Sequence, residues 1–220
     1  NKKIDIDLKK IKLTLDPFKL KIYAKTVGTT VYFSKRPLAL ESIKTQVSLS
    51  SLIKNKISSS NIEVQTKSIL LNDLIKFIRT TNNKPQLFIL EKIIKKGHVI
   101  IDLSLNIDEN GKIKNDYEIV GLIKDASFNF LNKANFKNIN LNFNFQKDNY
   151  LFEKINFKAE QVNFTSKKLD IKKKKNSFLI DAIFENDQSS LNSNILKLLN
   201  LNFENIIVDD AIFKTNNEFS

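Results

Sequence analysis

The side chains that could take part in catalysis are few in this chain of 220 residues. It has no cysteine, one histidine and four glycines, and the glycines stand far apart. These counts exclude disulfides, thiolate metal sites, cysteine nucleophiles, multi-histidine metal sites and the glycine-rich loops that bind nucleotide phosphates. The sequence therefore predicts no bound metal, no cofactor and no catalytic residues.

The single imidazole, that of His98, is the best candidate for a general base. A strand that begins here would place Asp102 on the same face as His98. However, His98 directly follows Gly97, at the junction of a predicted helix and a predicted strand, where a hydrogen-bonded structural histidine is more common. We therefore interpret His98 as structural and predict that the chain is not an enzyme.

Two acidic segments raise the question of acid-base catalysis or calcium binding. Asp209 and Asp210 are adjacent, so a strand would direct them to opposite faces, which argues against a shared acid-base role. The segment 108–110 lacks the ligand alternation of an EF-hand calcium loop. Asn110 and Gly111 instead carry the signal of a tight hairpin turn, which we favour over a calcium site.

Alternation of apolar and polar residues dominates the sequence and predicts β-strands, as in Val99 to Ile107. The spacing changes to a helical one between residues 70 and 97. We expect two short helices there, with Asn72 or Asp73 capping the first and Gly97 ending the second. A further short helix is predicted near 191–199.

We therefore predict a mainly β chain with short helices, of the α+β class. Its antiparallel meander would form a long curled sheet or β-groove. Because the chain lacks methionine and begins with Asn1, we expect it to be one continuous segment of a larger protein. The predicted parts are a β-meander over 1–69, a helical insert over 70–97, a second β-meander over 98–188, a short helix over 189–200, and a terminal strand with a polar tail over 201–220.

One face of the predicted strands is apolar and rich in phenylalanine, of which the chain has 17. Such a face must be buried. It can form an ordinary core in a closed barrel or sandwich, or it can line a curled sheet that holds an apolar ligand. In the second case the candidate lining residues are Leu103, Leu105, Leu141, Phe143, Phe145 and Phe157.

The net charge of +12 suggests attraction to phosphate groups, in nucleic acid or in anionic lipids. The lysines are spread over the polar face of most predicted strands, and basic-aromatic clusters of the RNA-binding kind are almost absent. We interpret the run Lys172 to Lys175 as a turn at a strand end. Nucleic acid is therefore not the expected partner.

Two stretches resemble the AsmA-like family of bacterial envelope proteins, which is related to TamB. The first, TTVYFSKRPLALESIKTQVSLSSLIKNKISSSNIEVQTKSILLNDLIKFIR, contains a hairpin, a strand, a basic link, a strand and a short helix. The second, HVIIDLSLNIDENGKIKNDYEIVGLIKDASFNF, has hairpin strands that lead to the segment Lys124 to Ser127. Their order, with a helical insert between them, is also similar.

The resemblance implies a long periplasmic β-groove that carries phospholipid between the inner and outer membranes. It would place this chain in the periplasm, tethered to the inner membrane by a segment outside it. Its partners would be phospholipid acyl chains and bacterial membranes, and the family supplies no catalytic motif. The alternative is a structural or adhesive β-rich binding module with a closed core and no lipid.

Overall fold

A computed structural model describes residues 4–33, 35–53, 61–81, 84–108, 112–130, 134–175, 177–187, 189–190, 212–213 and 216–219. The helices are α1 (Leu49–Ile53), α2 (Leu71–Thr81) and α3 (Pro85–Ile93). The strands of the first half are β1 (Ile4–Asp7), β2 (Lys10–Asp16), β3 (Lys21–Val27), β4 (Thr30–Phe33), β5 (Arg36–Ser48), β6 (Asn61–Thr66), β7 (Ile69–Leu70) and β8 (Ile94–Asn106). Those of the second half are β9 (Glu118–Phe130), β10 (Ala134–Gln146), β11 (Asn149–Ala159), β12 (Val162–Lys173), β13 (Phe178–Asn186), β14 (Ser189–Ser190), β15 (Ile212–Phe213) and β16 (Asn216–Phe219).

The strands form one antiparallel sheet of 14 strands, and β14 and β15 form a separate small ribbon. The main path is β2-β3-β5-β6-β8-β9-β10-β11-β12-β13-β16, with β1 and β4 added at the start of β5 and β7 added at β8. Among the described strands, β2 and β16 each pair with a single neighbour, so the curled sheet stays open. The predicted mainly β meander with short helices is confirmed.

The register of the strands determines which side chains share a face, because directly paired residues point to the same side. Leu103 pairs with Val64 on one side and with Ile119 on the other, and Ile119 pairs with Phe145. Continuing from pair to pair gives one set of residues that we call the apolar face. Thr26, Thr45 and Gly121 lie on this face. Its other members are Ile11, Leu13, Leu15, Ile22, Ala24, Ile43, Val47, Ile62, Val64, Val99, Ile101, Leu103, Leu105, Ile119, Ile123, Leu141, Phe143, Phe145, Tyr150, Phe152, Leu169, Ile171, Ile180 and Ala182.

Three β-bulges lie side by side in β9, β10 and β11. Asp125, Asn138 and Lys154 have φ of 50°, 53° and 51°, and the register shifts beside each of them. An extra residue shifts the alternation by one, so Ile123 and Ala126 lie on the same face although three positions separate them. Beyond the bulges the apolar face continues through Ala126, Phe128, Phe136, Ile139, Ile155, Phe157, Ala159, Val162 and Phe164.

Helix α2 packs on one end of the apolar face. The ring of Phe77 lies edge-on to that of Phe33, with 6.3 Å between the ring centroids. Ile75 of this helix is buried, as are Leu40 and Val99 of the strands that the helix contacts. The helix thus covers the end of the sheet where β4, β5 and β8 meet.

The helical insert ends earlier than its spacing predicts. Helix α3 stops at Ile93, and the next residues pair with β9, so the predicted helix end at Gly97 is wrong. Gly97 has φ of 137° inside β8, where a Cβ would lie 2.7 Å from the Cβ of Ala126. Strand pairing therefore prevails over the helical spacing of the leucines and isoleucines.

The local signals at the helix ends have mixed outcomes. Lys95 Nζ donates a hydrogen bond to the carbonyl oxygen of Lys92 at 3.0 Å, which satisfies one of the last carbonyl groups of α3. Asn72 lies inside the first turn of α2, and its Oδ1 is buried without a partner among the described atoms, so it does not cap the helix. Helix α1 was not expected. Residues 191–200, most of the predicted last helix, lie outside the described residues.

Candidate functional site

The six predicted lining residues all lie on the apolar face. Leu103 and Leu105 belong to β8, and Leu105 pairs with Ile62 of β6. Leu141, Phe143 and Phe145 follow one another on β10, and Phe157 joins the face beyond the bulge of β11. The structure thus brings residues from strands that are distant in sequence onto one continuous surface.

Two rows of aromatic rings cross the apolar face. In the first row, Phe136 stacks on Phe128 at 4.6 Å and lies 5.8 Å from Phe157, which stacks on Phe164 at 5.3 Å. These distances between ring centroids lie in the range of favourable aromatic pairs. The rows therefore tie neighbouring strands together on the apolar side.

The second row lies nearer the opposite ends of the strands. Phe143 stacks on Phe145 at 4.9 Å, and the Phe145 ring meets Phe152 and Tyr150 edge-on at 5.3 and 5.6 Å. Phe143 is only 6% exposed, whereas its row neighbours are half-buried. The row is therefore buried at Phe143 and partly exposed at the other three rings.

The apolar face becomes more exposed toward β2. Leu13 is 69% exposed, and Ile11 and Leu15 beside it are also more than half exposed. Exposed apolar residues in a continuous patch usually mark a surface that binds something. The apolar face therefore has the character of a binding surface at β2 and that of a packed core at β10 to β12.

The other face of the sheet is polar. Lys44 Nζ lies 3.4 Å from Glu63 Oε2 across β5 and β6. Glu118 Oε1 accepts hydrogen bonds from Asn144 and Gln146 at 2.9 and 3.0 Å. The sheet is therefore amphipathic, and its two faces would be directed to different surroundings.

One charged group on the polar face is buried. Asp170 is 7% exposed, and its Oδ2 lies 3.2 Å from Lys168 Nζ and 3.3 Å from Lys172 Nζ. Burial raises the pKa of the Asp170 carboxyl, but the hydrogen bonds and charges of the two lysines outweigh it and hold the pKa below its usual value. All three residues lie on β12, so the cluster is local to this strand.

Two clefts lie on the polar face of the sheet. One of about 340 Å³ is lined by Lys12, Lys25, Lys44 and Glu63, among others. A larger one of about 790 Å³ crosses β11 to β13 and is lined mainly by charged and polar side chains. Both clefts are lined by lysines and by acidic side chains. The described stretches contain no group of three acidic or imidazole side chains that could hold a metal ion.

The acid-base candidates of the sequence are not brought together. His98 and Asp102 lie on the same face of β8, both exposed, as the alternation predicts. Four residue steps along the strand separate their α-carbons by about 13 Å, which is too far for a hydrogen bond. Asp209 and Asp210 lie outside the described residues.

The turn between β8 and β9 is described only in part. Ile107 and Ile113 form an antiparallel bridge, and Asp108 Oδ1 accepts a hydrogen bond from the Lys112 backbone N–H at 2.9 Å. This pairing is that of a hairpin, as predicted. Residues 109–111 themselves lie outside the described residues.

Sequence reasoning missed part of the apolar face. Ile62 and Val64 contact the predicted lining of β8, and Phe152 joins the second aromatic row. The alternation of apolar and polar residues in β6 predicts a strand. It does not predict that β6 pairs with β8, because the helical insert separates the two strands in the chain. For Phe152 the turn between β10 and β11 fixes the register, so this residue could have been found.

Comparison with known proteins gives no relative: no family model, curated protein or solved structure matches the chain. Within the described residues, no helix is both long and apolar enough to cross a membrane. By its fold, the chain belongs to the class of open, curled antiparallel sheets with one apolar face. Membership of the AsmA-like family stays a prediction.

Proposed function

We propose that the apolar face binds the acyl chains of phospholipids and that the chain is a non-catalytic segment of a lipid-transport protein of the AsmA-like type. The protein would move phospholipid between the inner and outer membranes of a bacterial envelope. The observation that carries the proposal is the continuity of the apolar face from β2 to β13 in a sheet that does not close.

The dimensions and energetics of the apolar face suit an acyl chain. Neighbouring strands are about 4.8 Å apart, so the path from β2 to β13 is roughly 40 Å long, measured along the sheet. Each methylene group removed from water contributes about 0.8 kcal/mol. Contact is non-directional, so a chain could slide along the aliphatic and aromatic side chains without breaking hydrogen bonds.

The polar groups are consistent with a passive mechanism. Leu103 and Ser104 are neighbours on β8 with opposite orientations, so polar side chains such as Ser104 are directed away from the apolar face, and the headgroup would stay in water. No described side chain of the apolar face needs to gain or lose a proton. Transport would then follow the lipid gradient between the two membranes.

A photo-crosslinking experiment tests the proposal. The photoreactive amino acid benzoylphenylalanine replaces Leu103 in one variant and the adjacent Ser104 in another, and each protein is irradiated in a bacterial membrane extract. We expect lipid adducts, detected by mass spectrometry, at position 103 and few at position 104. Equal labelling at both positions, or none at position 103 in a folded protein, would contradict the proposal.

A structural or adhesive module that binds no lipid is the second candidate, although the sheet is open among the described strands and the closed core predicted for such a module is not found there. It is favoured by the packed cluster of Ala159, Val162 and Phe164, with Phe136 and Phe157 against it, which resembles an ordinary protein core. This function predicts that the protein purifies without lipid. Native mass spectrometry that shows bound phospholipid on the purified chain would exclude it.

A further inference from the structure

Several strand ends and connections lie at the end of the sheet that is opposite helix α2. We call this end the basic edge, and its described residues are 16–21, 107–108, 112–117, 147–148, 172–175 and 177–178. The register places them together through the pairs Asp16 with Lys21, Lys21 with Ser48, Gln46 with Asn61, Asn61 with Asn106, Ser104 with Glu118, Gln146 with Glu118, Gln146 with Asn149, and Asn149 with Lys172.

Three connections at the basic edge each expose an apolar side chain. Phe18 in the turn between β2 and β3 is 97% exposed, Ile113 before β9 is 60% exposed, and Phe178 at the start of β13 is 61% exposed. Burial of a large apolar side chain is favourable by about 2 kcal/mol, so such exposure is costly for a surface that only meets water. These three side chains are therefore available to an apolar partner at this edge.

Each of the three exposed side chains has lysine beside it. Lys19 follows Phe18, Lys112 and Lys114 flank Ile113, and the run from 172 to 175 precedes Phe178. Lys173 is also paired with Phe178 across β12 and β13. The same combination of one apolar tip and flanking lysine thus occurs in three independent connections.

Three of the acidic side chains at the basic edge accept hydrogen bonds from uncharged groups. Asp16 Oδ1 accepts the backbone N–H groups of Phe18 and Lys19 at 3.1 and 3.0 Å, and Asp116 Oδ2 accepts Asn106 Nδ2 at 3.0 Å. Asp108 is bonded to the Lys112 N–H, as described above. Within the part of the chain that the structure describes, Lys19, Lys112 and Lys114 form no ion pair, so their charges face solvent.

We infer that the basic edge docks on the surface of an anionic lipid bilayer. Lysines near such a surface gain about 1 kcal/mol each, and apolar tips enter the interfacial region beneath the headgroups. A nucleic acid would also attract the lysines, but it offers Ile113 no base to stack on and no apolar depth to enter. The aliphatic and aromatic tips together therefore favour a bilayer.

Phe178 shares the face of Ile180, but Phe18 and Ile113 lie in connections outside the paired strands, so F18S tests this docking apart from the apolar face. A chain whose basic edge binds vesicles while its apolar face stays empty would support this inference and contradict the proposed function. A chain that holds phospholipid on its apolar face but does not bind vesicles would support the proposed function and contradict this inference. The two proposals can therefore fail separately.

Vesicle flotation tests the inference with the purified chain. Vesicles contain phosphatidylcholine alone or equal parts of phosphatidylcholine and phosphatidylglycerol. We expect binding to the anionic vesicles that weakens with salt, and about tenfold weaker binding for F18S and for F178S. Replacement of Lys112 or Lys114 by Gln should weaken binding about fivefold each.

A matched control comes from the opposite end of the sheet. Ile89 on α3 is 54% exposed, so I89S removes an exposed apolar side chain without touching the basic edge, and its binding should equal that of the unaltered chain. Three results would overturn the inference: no vesicle binding, equal loss in I89S, or tighter binding to duplex DNA that F18S and F178S leave unchanged. Circular dichroism of each variant shows that it is folded.

Discussion

The ring of Phe143 packs directly over Gly121, its partner across β9 and β10. A Cβ built on Gly121 would lie 2.5 Å from Cζ of Phe143 and 2.3 Å from the carbonyl oxygen of Ile100. Both distances are far below van der Waals contact, and one of the two atoms belongs to the backbone. Gly121 therefore makes room for the most deeply packed ring of the second aromatic row.

Replacement of Gly121 by Ala should destabilise the sheet by about 2 kcal/mol, because a strand or a ring must shift to admit the new atom. Urea unfolding measures this as a lower midpoint at an unchanged slope. The control is V120A, which alters the adjacent, exposed residue on the polar face and should change the free energy of unfolding by less than about 0.5 kcal/mol. Equal stability of G121A and the unaltered chain would contradict the packing described.

Asn140 stabilises the aligned bulges. Its Oδ1 accepts the backbone N–H of Asp125 at 3.0 Å, and its Nδ2 donates to the carbonyl oxygen of Asn138 at 2.9 Å and to Asn156 Oδ1 at 3.0 Å. One side chain thus joins all three bulged strands. Without it, backbone groups of two bulges lose their described side-chain partner.

Asn140→Ala should lower the free energy of unfolding by about 1–3 kcal/mol, since it removes three hydrogen bonds, two of them to backbone groups. Asn142→Ala is the control, because Asn142 lies two positions further along β10, outside the bulges, and shares the polar face. Hydrogen exchange of the amides of β9 to β11 should rise in the first variant only. Similar protection in both variants would show that the bulges hold without Asn140.

Asp170 makes the stability of the sheet depend on pH. Because the folded-state pKa of its carboxyl is lowered, its contribution is present above the ordinary value of 3.8 and is lost as the pH falls through the lower folded value. Asp170→Asn should remove this part of the acid dependence, measured as unfolding midpoints over the acid range. Asp148→Asn, at an exposed turn, should leave it in place. An unchanged acid profile in D170N would contradict the role of the two lysines.

The alternation of the sequence was sufficient for the strands and for the side of the sheet to which five of the lining residues belong, whereas Phe157 reaches that side only through the bulge at Lys154. Leu103 and Leu105 show this, since β8 keeps a period of two from Val99 onward. The bulges at Asp125, Asn138 and Lys154 gave no signal, because glycine is the usual residue at positive φ and none stands there. Their contacts are long-range: Asn140 of β10 bonds the bulge of β9 at Asp125 and the side chain of Asn156 on β11.

The end of α3 shows a second limit of local signals. Lys95, Lys96 and Gly97 are typical of a helix end, yet they follow the last helical residue and lie in β8. Pairing with Phe128 and Ser127 of β9 determines this boundary. Tertiary pairing of this kind cannot be read from the residues of one segment alone.

Lipid binding to two variants of adjacent residues tests the central claim most directly. Ile119 lies half-buried on the apolar face and pairs with Leu103 and Phe145, whereas Val120 lies exposed on the polar face. Native mass spectrometry after incubation with phospholipid vesicles counts the lipids retained by I119D and by V120D. We expect I119D to lose bound phospholipid and V120D to keep the level of the unaltered chain. Retention of lipid by folded I119D, or equal loss in both variants, would contradict the account.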